Sequence, residues 1–182
     1  MFFAKLALRK RLPVFYFLSL ATLSLAIWQM VLNKPLNTEA YPRGIVDFEL
    51  ARTTSSAHAM MATWNAETRS TVLWSLQVDF AFLSAYGLTL SLACFLLALR
   101  FQHKSPRLSR LGKFLAWAQL AAAFCDAVEN VALMRVLAET PGEVWPLLAW
   151  AAASLKFFLV ILGLLFLAAG FVYDRLLHTG LK

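Results

Sequence analysis

The sequence predicts an all-α integral membrane protein: a four-helix bundle with a short extramembrane amphipathic helix in its first loop. Of its 182 residues, 60% are hydrophobic and 15% are charged, a composition that soluble domains of this size rarely have. A transmembrane helix needs about 20 consecutive apolar residues. Four stretches meet this length, and together they form one predicted domain that covers residues 1–182: 13–32, 73–99, 114–137 and 147–172.

The first stretch follows a basic segment, an order that secretory signal peptides share. The apolar region of such a peptide is about 7 to 15 residues long and ends at a cleavage site of small residues. Here the apolar run continues through Trp28 and Met30 without such a site, so we expect a retained first span. We interpret a stripe of small and polar residues in this span as a packing surface for another helix: Ser19, Thr22, Ala26 and Gln29.

Residues 33–72 form the predicted outer loop. Its first part contains Pro35 and Pro42, which disfavour regular structure. The pattern then changes to a short apolar run, IVDFEL, and to a segment in which Thr53 or Thr54 can cap a helix. This helix would carry its large apolar side chains on one side: Met60, Met61 and Trp64. We therefore predict an interfacial amphipathic helix over the mouth of the bundle, which serves as an anchor or as a lid.

Lysine and arginine are concentrated in two flanks of the predicted spans. Short loops rich in these residues stay on the cytoplasmic side. The N-terminal segment and residues 100–113 are basic without acids, whereas residues 33–72 and 138–146 also contain acidic side chains. We therefore predict a multi-pass protein of the inner (plasma) membrane with both termini in the cytoplasm. The net charge of +7 reflects this topology and contact with anionic lipid of the bilayer, and it does not indicate nucleic-acid binding.

The third stretch carries polar residues inside an apolar run. At 100° per residue, one face of this helix presents two carboxyls with carboxamides beside them: Gln119, Asp126, Glu129 and Asn130. A charge near the middle of a bilayer costs about 3 kcal/mol on insertion scales, so such residues normally face the interior of a bundle. We predict that these four bind a ligand or protons.

The second and fourth spans supply three further candidates: Asp79, Tyr86 and Lys156. Small residues above and below Lys156 indicate that it faces another helix. At 1.5 Å per residue, Glu129 and Lys156 each lie about 13 Å below the outer ends of their spans. Asp126 and Tyr86 lie at about 18 Å, and Asp79 at about 8 Å. These depths predict a polar column that opens outward.

Three carboxyls face one ammonium in this column, so full ionisation would leave a charge of minus two in a poorly solvated place. Either one or two carboxyls stay protonated, because burial and like charge disfavour ionisation, or a cation or cationic ligand completes the balance. Buried ion pairs and carboxamides also hold membrane helices together, so a purely structural role remains an alternative.

Sequence motifs exclude several function classes. The chain lacks G-x-x-x-x-G-K, G-x-S-x-G, H-E-x-x-H and C-x-x-C, and its three histidines fall outside the predicted spans, so we predict no cofactor. The carboxyls of the column would suit a hard divalent cation, but Lys156 competes for them, and we predict no metal site. Cys94 and Cys125 lie at different depths of two spans, which disfavours a disulfide.

Three segments of the chain resemble a pattern found in uncharacterised bacterial four-helix membrane proteins: IVDFELARTTSSAHAMMATW, VDFAFLSAY and CDAVENVALM. The resemblance covers residues 45–156. It implies the four-helix architecture and no particular substrate. It also supports the choice of five of the site residues: Asp79, Asp126, Glu129, Asn130 and Lys156.

Three functional hypotheses follow. The first is a protein that binds or transports a small cation, protons or an amphipathic ligand, with Asp126 and Glu129 as protonating groups and Lys156 as the charge that binding releases. The second is a membrane-embedded enzyme that acts on a lipid or isoprenoid with the carboxyls as acid and base, although the sequence assigns no catalytic residue. The third is a structural or assembly subunit that binds another membrane protein, which the small-residue helix surfaces favour.

Overall fold

The computed structural model describes residues 8–179, and every regular element in this range is helical. A single turn of 3-10 helix, Lys34–Leu36, follows the first long helix. The other elements are α1 Leu8–Asn33, α2 Ile45–Glu49, α3 Thr54–Met61, α4 Ala66–Arg100, α5 Pro106–Leu137 and α6 Val144–Thr179. The all-helical prediction is confirmed, and each of the four long helices extends beyond the apolar stretch that predicted it.

Three helices begin at residues whose side chains cap them. The side chain of Asn65 accepts a hydrogen bond from the Thr68 backbone N–H at 2.8 Å, which starts α4 well before its apolar run. Ser105 precedes Pro106 and caps α5. Thr53, one of the two predicted caps, caps α3 by accepting a hydrogen bond from the Ser56 backbone N–H. Such caps satisfy donors that have no partner within the helix.

Three of the long helices, α1, α4 and α6, are long and apolar enough to cross a membrane. The prediction of four apolar spans is therefore confirmed for three. Helix α5 has 32 residues but a lower hydropathy, because Gln119, Asp126, Glu129 and Asn130 interrupt its apolar run. All four of these side chains are buried against other helices.

Each long helix packs mainly against one or two of the other long helices. Helix α4 packs along α5, α5 packs along α6, and α1 packs chiefly along α4, with little or no contact between α1 and α6. Large apolar side chains cover the outer faces of α1, among them Phe17, Leu20 and Met30. Exposed apolar surface of this extent suits contact with lipid or with another protein.

Helices α4 and α5 approach each other closely at Gly87. A Cβ atom placed on Gly87 would lie 2.6 Å from the Cβ of Ala123, a distance that real side chains do not adopt. One turn further along α4, the Ser91 hydroxyl donates a hydrogen bond to the backbone oxygen of Ala116 at 2.6 Å. Gly87 and Ser91, two small residues one turn apart on α4, thus form the contact with α5.

The first loop folds back over one end of the long helices. Phe48 of α2 and Met60, Met61 and Trp64 in and after α3 are buried, and they belong to the same apolar cluster as Leu133 of α5. The predicted amphipathic helix is present, but its apolar face contacts protein rather than a lipid interface. The loop is therefore part of the folded core.

Replacing Ala123 by leucine should lower the thermal unfolding midpoint of the purified protein in detergent, because the backbone of Gly87 leaves no room for a larger side chain. Overpacking of this kind typically costs about 1–3 kcal/mol. Ala121→Leu is the matched control, since Ala121 lies two residues away and is exposed. Its cost should stay below about 0.5 kcal/mol. Equal losses in the two variants would contradict the close approach of α4 and α5.

Candidate functional site

The Lys156 ammonium lies at the centre of the buried polar residues. Its Nζ atom donates to Asp126 Oδ1 at 2.9 Å and lies 2.8 Å from Glu129 Oε2. Asp126 and Glu129 are three residues apart on α5 and therefore share a face towards α6. Glu129 is fully buried, and the side chain of Lys156 is 9% exposed. The structure thus contains the expected pair of Lys156 with Glu129 and adds Asp126 to it.

A second contact connects this ion pair to α4. The hydroxyl of Tyr86 donates a hydrogen bond of 2.8 Å to the other carboxylate oxygen of Asp126. Asp126 therefore accepts from α4 with one oxygen and from α6 with the other. Asp126 and Tyr86, which the sequence analysis placed at the same depth, are thus in direct contact.

Asp79 lies in a neighbouring set of hydrogen bonds. Its two carboxylate oxygens accept from Asn130 Nδ2 at 2.7 Å and from Gln29 Nε2 at 2.8 Å. Gln29 belongs to α1 and in turn accepts from the Ser75 hydroxyl at 2.8 Å. Sequence reasoning assigned Gln29 to packing alone. The signal that was available is depth, because Gln29 lies about one turn and Asp79 about one and a half turns from the predicted outer ends of their spans.

Glu49, at the end of α2, is a fourth carboxyl that the sequence analysis missed. Its Oε2 atom lies 3.7 Å from Lys156 Nζ, is buried and has no hydrogen-bond partner. Burial raises the pKa of Glu49 to about 7; Lys156 opposes this rise, and the carboxylates of Asp126 and Asp79 add to it. The sequence feature that could have identified Glu49 is its position inside the apolar run IVDFEL.

Gln119 shares the polar face of α5 but lies apart from the ionic cluster. Its Nε2 atom donates to the backbone oxygen of Leu159 at 2.9 Å, and its side chain packs against Gly163 of α6. Gln119 precedes Asp126 by seven residues, which is two helical turns or about 10 Å. The structure brings together six of the seven predicted site residues and leaves Gln119 as a contact between α5 and α6.

The cluster contains more acids than the sequence analysis expected. Four carboxyls and one ammonium lie within it, so full ionisation would leave a net charge of −3. Residues 8–179 contain no group of three or more histidine, cysteine or acidic side chains arranged to hold a metal ion. Both cysteines are free. Carboxyls in contact with an ammonium are groups that can exchange protons and can attract a positively charged group.

Comparison of the chain with protein-family models, curated proteins and solved structures finds no match. The resemblance of residues 45–156 to uncharacterised bacterial four-helix membrane proteins thus gains no support from these comparisons. The function has to be inferred from the geometry of the cluster.

Lys156→Met should destabilise the protein by about 3–5 kcal/mol, because it leaves Asp126 and Glu129 buried without a counter-charge. Combining Lys156→Met with Glu129→Gln should recover part of this loss, since one of the two uncompensated charges is then removed. The measurement is the unfolding midpoint in detergent at pH 7. Lys113→Met is the matched control, because Lys113 is exposed on α5. A Lys156→Met protein as stable as Lys113→Met would contradict the central role of this ammonium.

Proposed function

We propose that this chain is a four-span integral membrane protein that binds protons or a cationic group in a polar cluster near its outer face. The observation that carries this proposal is the surplus of carboxyls around Lys156, four acids to one ammonium in a buried place. Carboxylates are costly to bury without an equal number of positive charges. A proton or a cationic group is what restores the balance.

The character of α5 supports its assignment as the fourth span. Its polar residues are buried between α4 and α6, both of which are apolar enough to cross a membrane. Its outward side chains are large and apolar, with Phe114, Trp117 and Phe124 each more than half exposed. A helix with a polar interior face and an apolar exterior face suits a bundle in lipid, where charged groups face inward.

The distribution of charge supports the proposed orientation in an inner (plasma) membrane. Residues 100–113, which span the end of α4, the connection and the first turns of α5, are basic and contain no acid. The folded loop at the opposite end carries Asp47, Glu49 and Glu67 among its basic residues. By the preference of basic loops for the cytoplasm, the ionic cluster lies in the outer half of the membrane and both termini are cytoplasmic.

Glu49 is the carboxyl of this cluster that comes from the first loop. It belongs to α2, outside the long helices, and its pKa of about 7 allows it to change charge under physiological conditions. The charged groups that face it are Lys156, Asp126, Glu129 and Asp79. When Glu49 loses its proton, the cluster gains one negative charge and its affinity for a cationic group rises. Protons and the cationic group therefore compete for one site.

An infrared titration of the carboxyl stretch in reconstituted protein should show a protonated carboxyl band that disappears near pH 7. The band should be lost in Glu49→Gln and kept in Glu39→Gln, which removes an exposed carboxyl of the same loop. If no carboxyl titrates between about pH 5 and 9, the cluster is a fixed ion-pair network and the proposed function fails.

The stability of the protein should depend on pH through the same group. Between pH 4.5 and about 7, folded Glu49 holds a proton that the unfolded chain has released. Its stabilising contribution is therefore complete below pH 4.5 and is lost as the pH rises to about 7. The unfolding midpoint of the wild type should accordingly fall by several degrees relative to that of Glu49→Gln across this interval. Parallel pH profiles for the two proteins would contradict a raised pKa of Glu49.

A further inference from the structure

A cleft reaches the ionic cluster from the side of the bundle. It has a volume of about 310 Å³ and lies between α1, α4 and α6. Apolar side chains form most of its walls, including Phe82, Leu90, Phe157 and Val160. This volume is at the lower end of the range that ligand pockets occupy, about 300–1,000 Å³.

The inner end of the cleft borders the ionic cluster, since Tyr86, Asp126 and Lys156 line it. Lys156 is already bonded to Asp126 and Glu129, and the Tyr86 hydroxyl already donates to Asp126. The donors at this inner end are thus occupied, whereas the cluster behind it holds four carboxyls to one ammonium. An anionic head group would meet net repulsion here, and a protonated amine would meet attraction.

A second cleft of about 560 Å³ lies at the end of the bundle where the first loop packs, beside Gln29 and Asn33, but neither Lys156 nor a carboxyl of the cluster lines it. The buried residues Phe48, Met60 and Trp64 of the first loop pack over this end, and Glu49 lies beside Lys156. On the side, by contrast, α1 packs on α4 and barely touches α6. A hydrogen bond between the hydroxyls of Thr22 and Thr89, 2.9 Å long, holds α1 in place at the cleft. The cluster is therefore approached from between α1 and α6, the side that faces lipid in a four-span bundle.

We propose that this cleft binds a cationic amphiphile, whose protonated amine contacts Asp126 and whose apolar body lies between α1 and α6 after entering from the bilayer. The inference rests on the proposed function. It identifies the cationic group that the cluster is proposed to bind as the amine of a molecule with an apolar body. It follows from two independent observations: an apolar cleft with a lateral opening, and an ionic cluster behind its inner end in which four carboxyls accompany one ammonium.

The test is equilibrium binding of radiolabelled dodecylamine to the protein in nanodiscs at pH 7. Dodecanoate, which has the same chain length, is the anionic comparator. Empty nanodiscs measure how much of each compound partitions into lipid alone. The amine should bind saturably, with an affinity at least about 10-fold above that of the acid. Val160→Trp fills the cleft and should weaken amine binding about 10-fold or more. Ile161→Trp is the matched control, because Ile161 is the next residue of α6 and is exposed, and it should stay within about 2-fold of wild type.

Asp126→Asn removes the carboxylate that lines the cleft, and it should reduce amine binding without creating affinity for dodecanoate. Should this variant unfold, Val160→Trp still tests the location, since it changes no charged group. Equal binding of amine and acid, or equal effects of Val160→Trp and Ile161→Trp, would overturn the proposal. If either occurs while the Glu49 carboxyl still titrates near pH 7, only the lateral site is wrong. If the titration is absent as well, the proposed function also fails.

Discussion

The ion pair of Lys156 with Asp126 and Glu129 is the interaction on which the rest of the structure depends. Neither the ammonium nor the carboxylates are stable in an apolar interior alone, because each loses several kcal/mol of hydration energy on burial. This requirement fixes how α5 and α6 meet, and the hydrogen bond from Tyr86 to Asp126 adds α4 to the same contact. Helix α5 takes the central place because its polar face finds partners only between these two neighbours.

The folded first loop is the second condition for such a cluster. Charged groups close to the end of the bundle where this loop packs would be hydrated if nothing covered them. Phe48, Met60, Met61 and Trp64 are buried over this end, and the helix that contains Phe48 places Glu49 beside Lys156. The loop that lowers the polarity around the cluster therefore also adds a carboxyl to it. This burial is the main reason why the pKa of Glu49 is raised to about 7.

Helical periodicity predicted the long helices, the polar face of α5 and the pairing of Lys156 with Glu129, because these features depend on spacing within a helix and on depth along it. Helical periodicity did not predict the features that depend on tertiary contacts. Glu49 lies on a helix of five residues whose position depends on the packing of a loop. Gln119 shares a face with Asp126, yet two turns separate them, so a common face does not make a common site. Gln29 looked like packing because periodicity cannot show which polar residue lies opposite it.

Helix α1 is attached to the bundle in a different way from the other long helices. Its polar contacts with α4 include hydrogen bonds between Thr22 and Thr89, from Gln29 to Asp79, and of Ser75 with Gln29 and Asn33, and such bonds in membranes contribute about 0.6 kcal/mol each. The contact of α5 with α6 includes an ion pair whose separation would leave buried charges. Displacing α1 would break these hydrogen bonds, whereas separating α5 from α6 would leave Lys156 and Glu129 buried without their partner. Helix α1 lines the cleft together with α4 and α6, and it contributes no side chain to the ion pair of Lys156 with Asp126 and Glu129, so the cleft and the ion pair depend on different helix contacts.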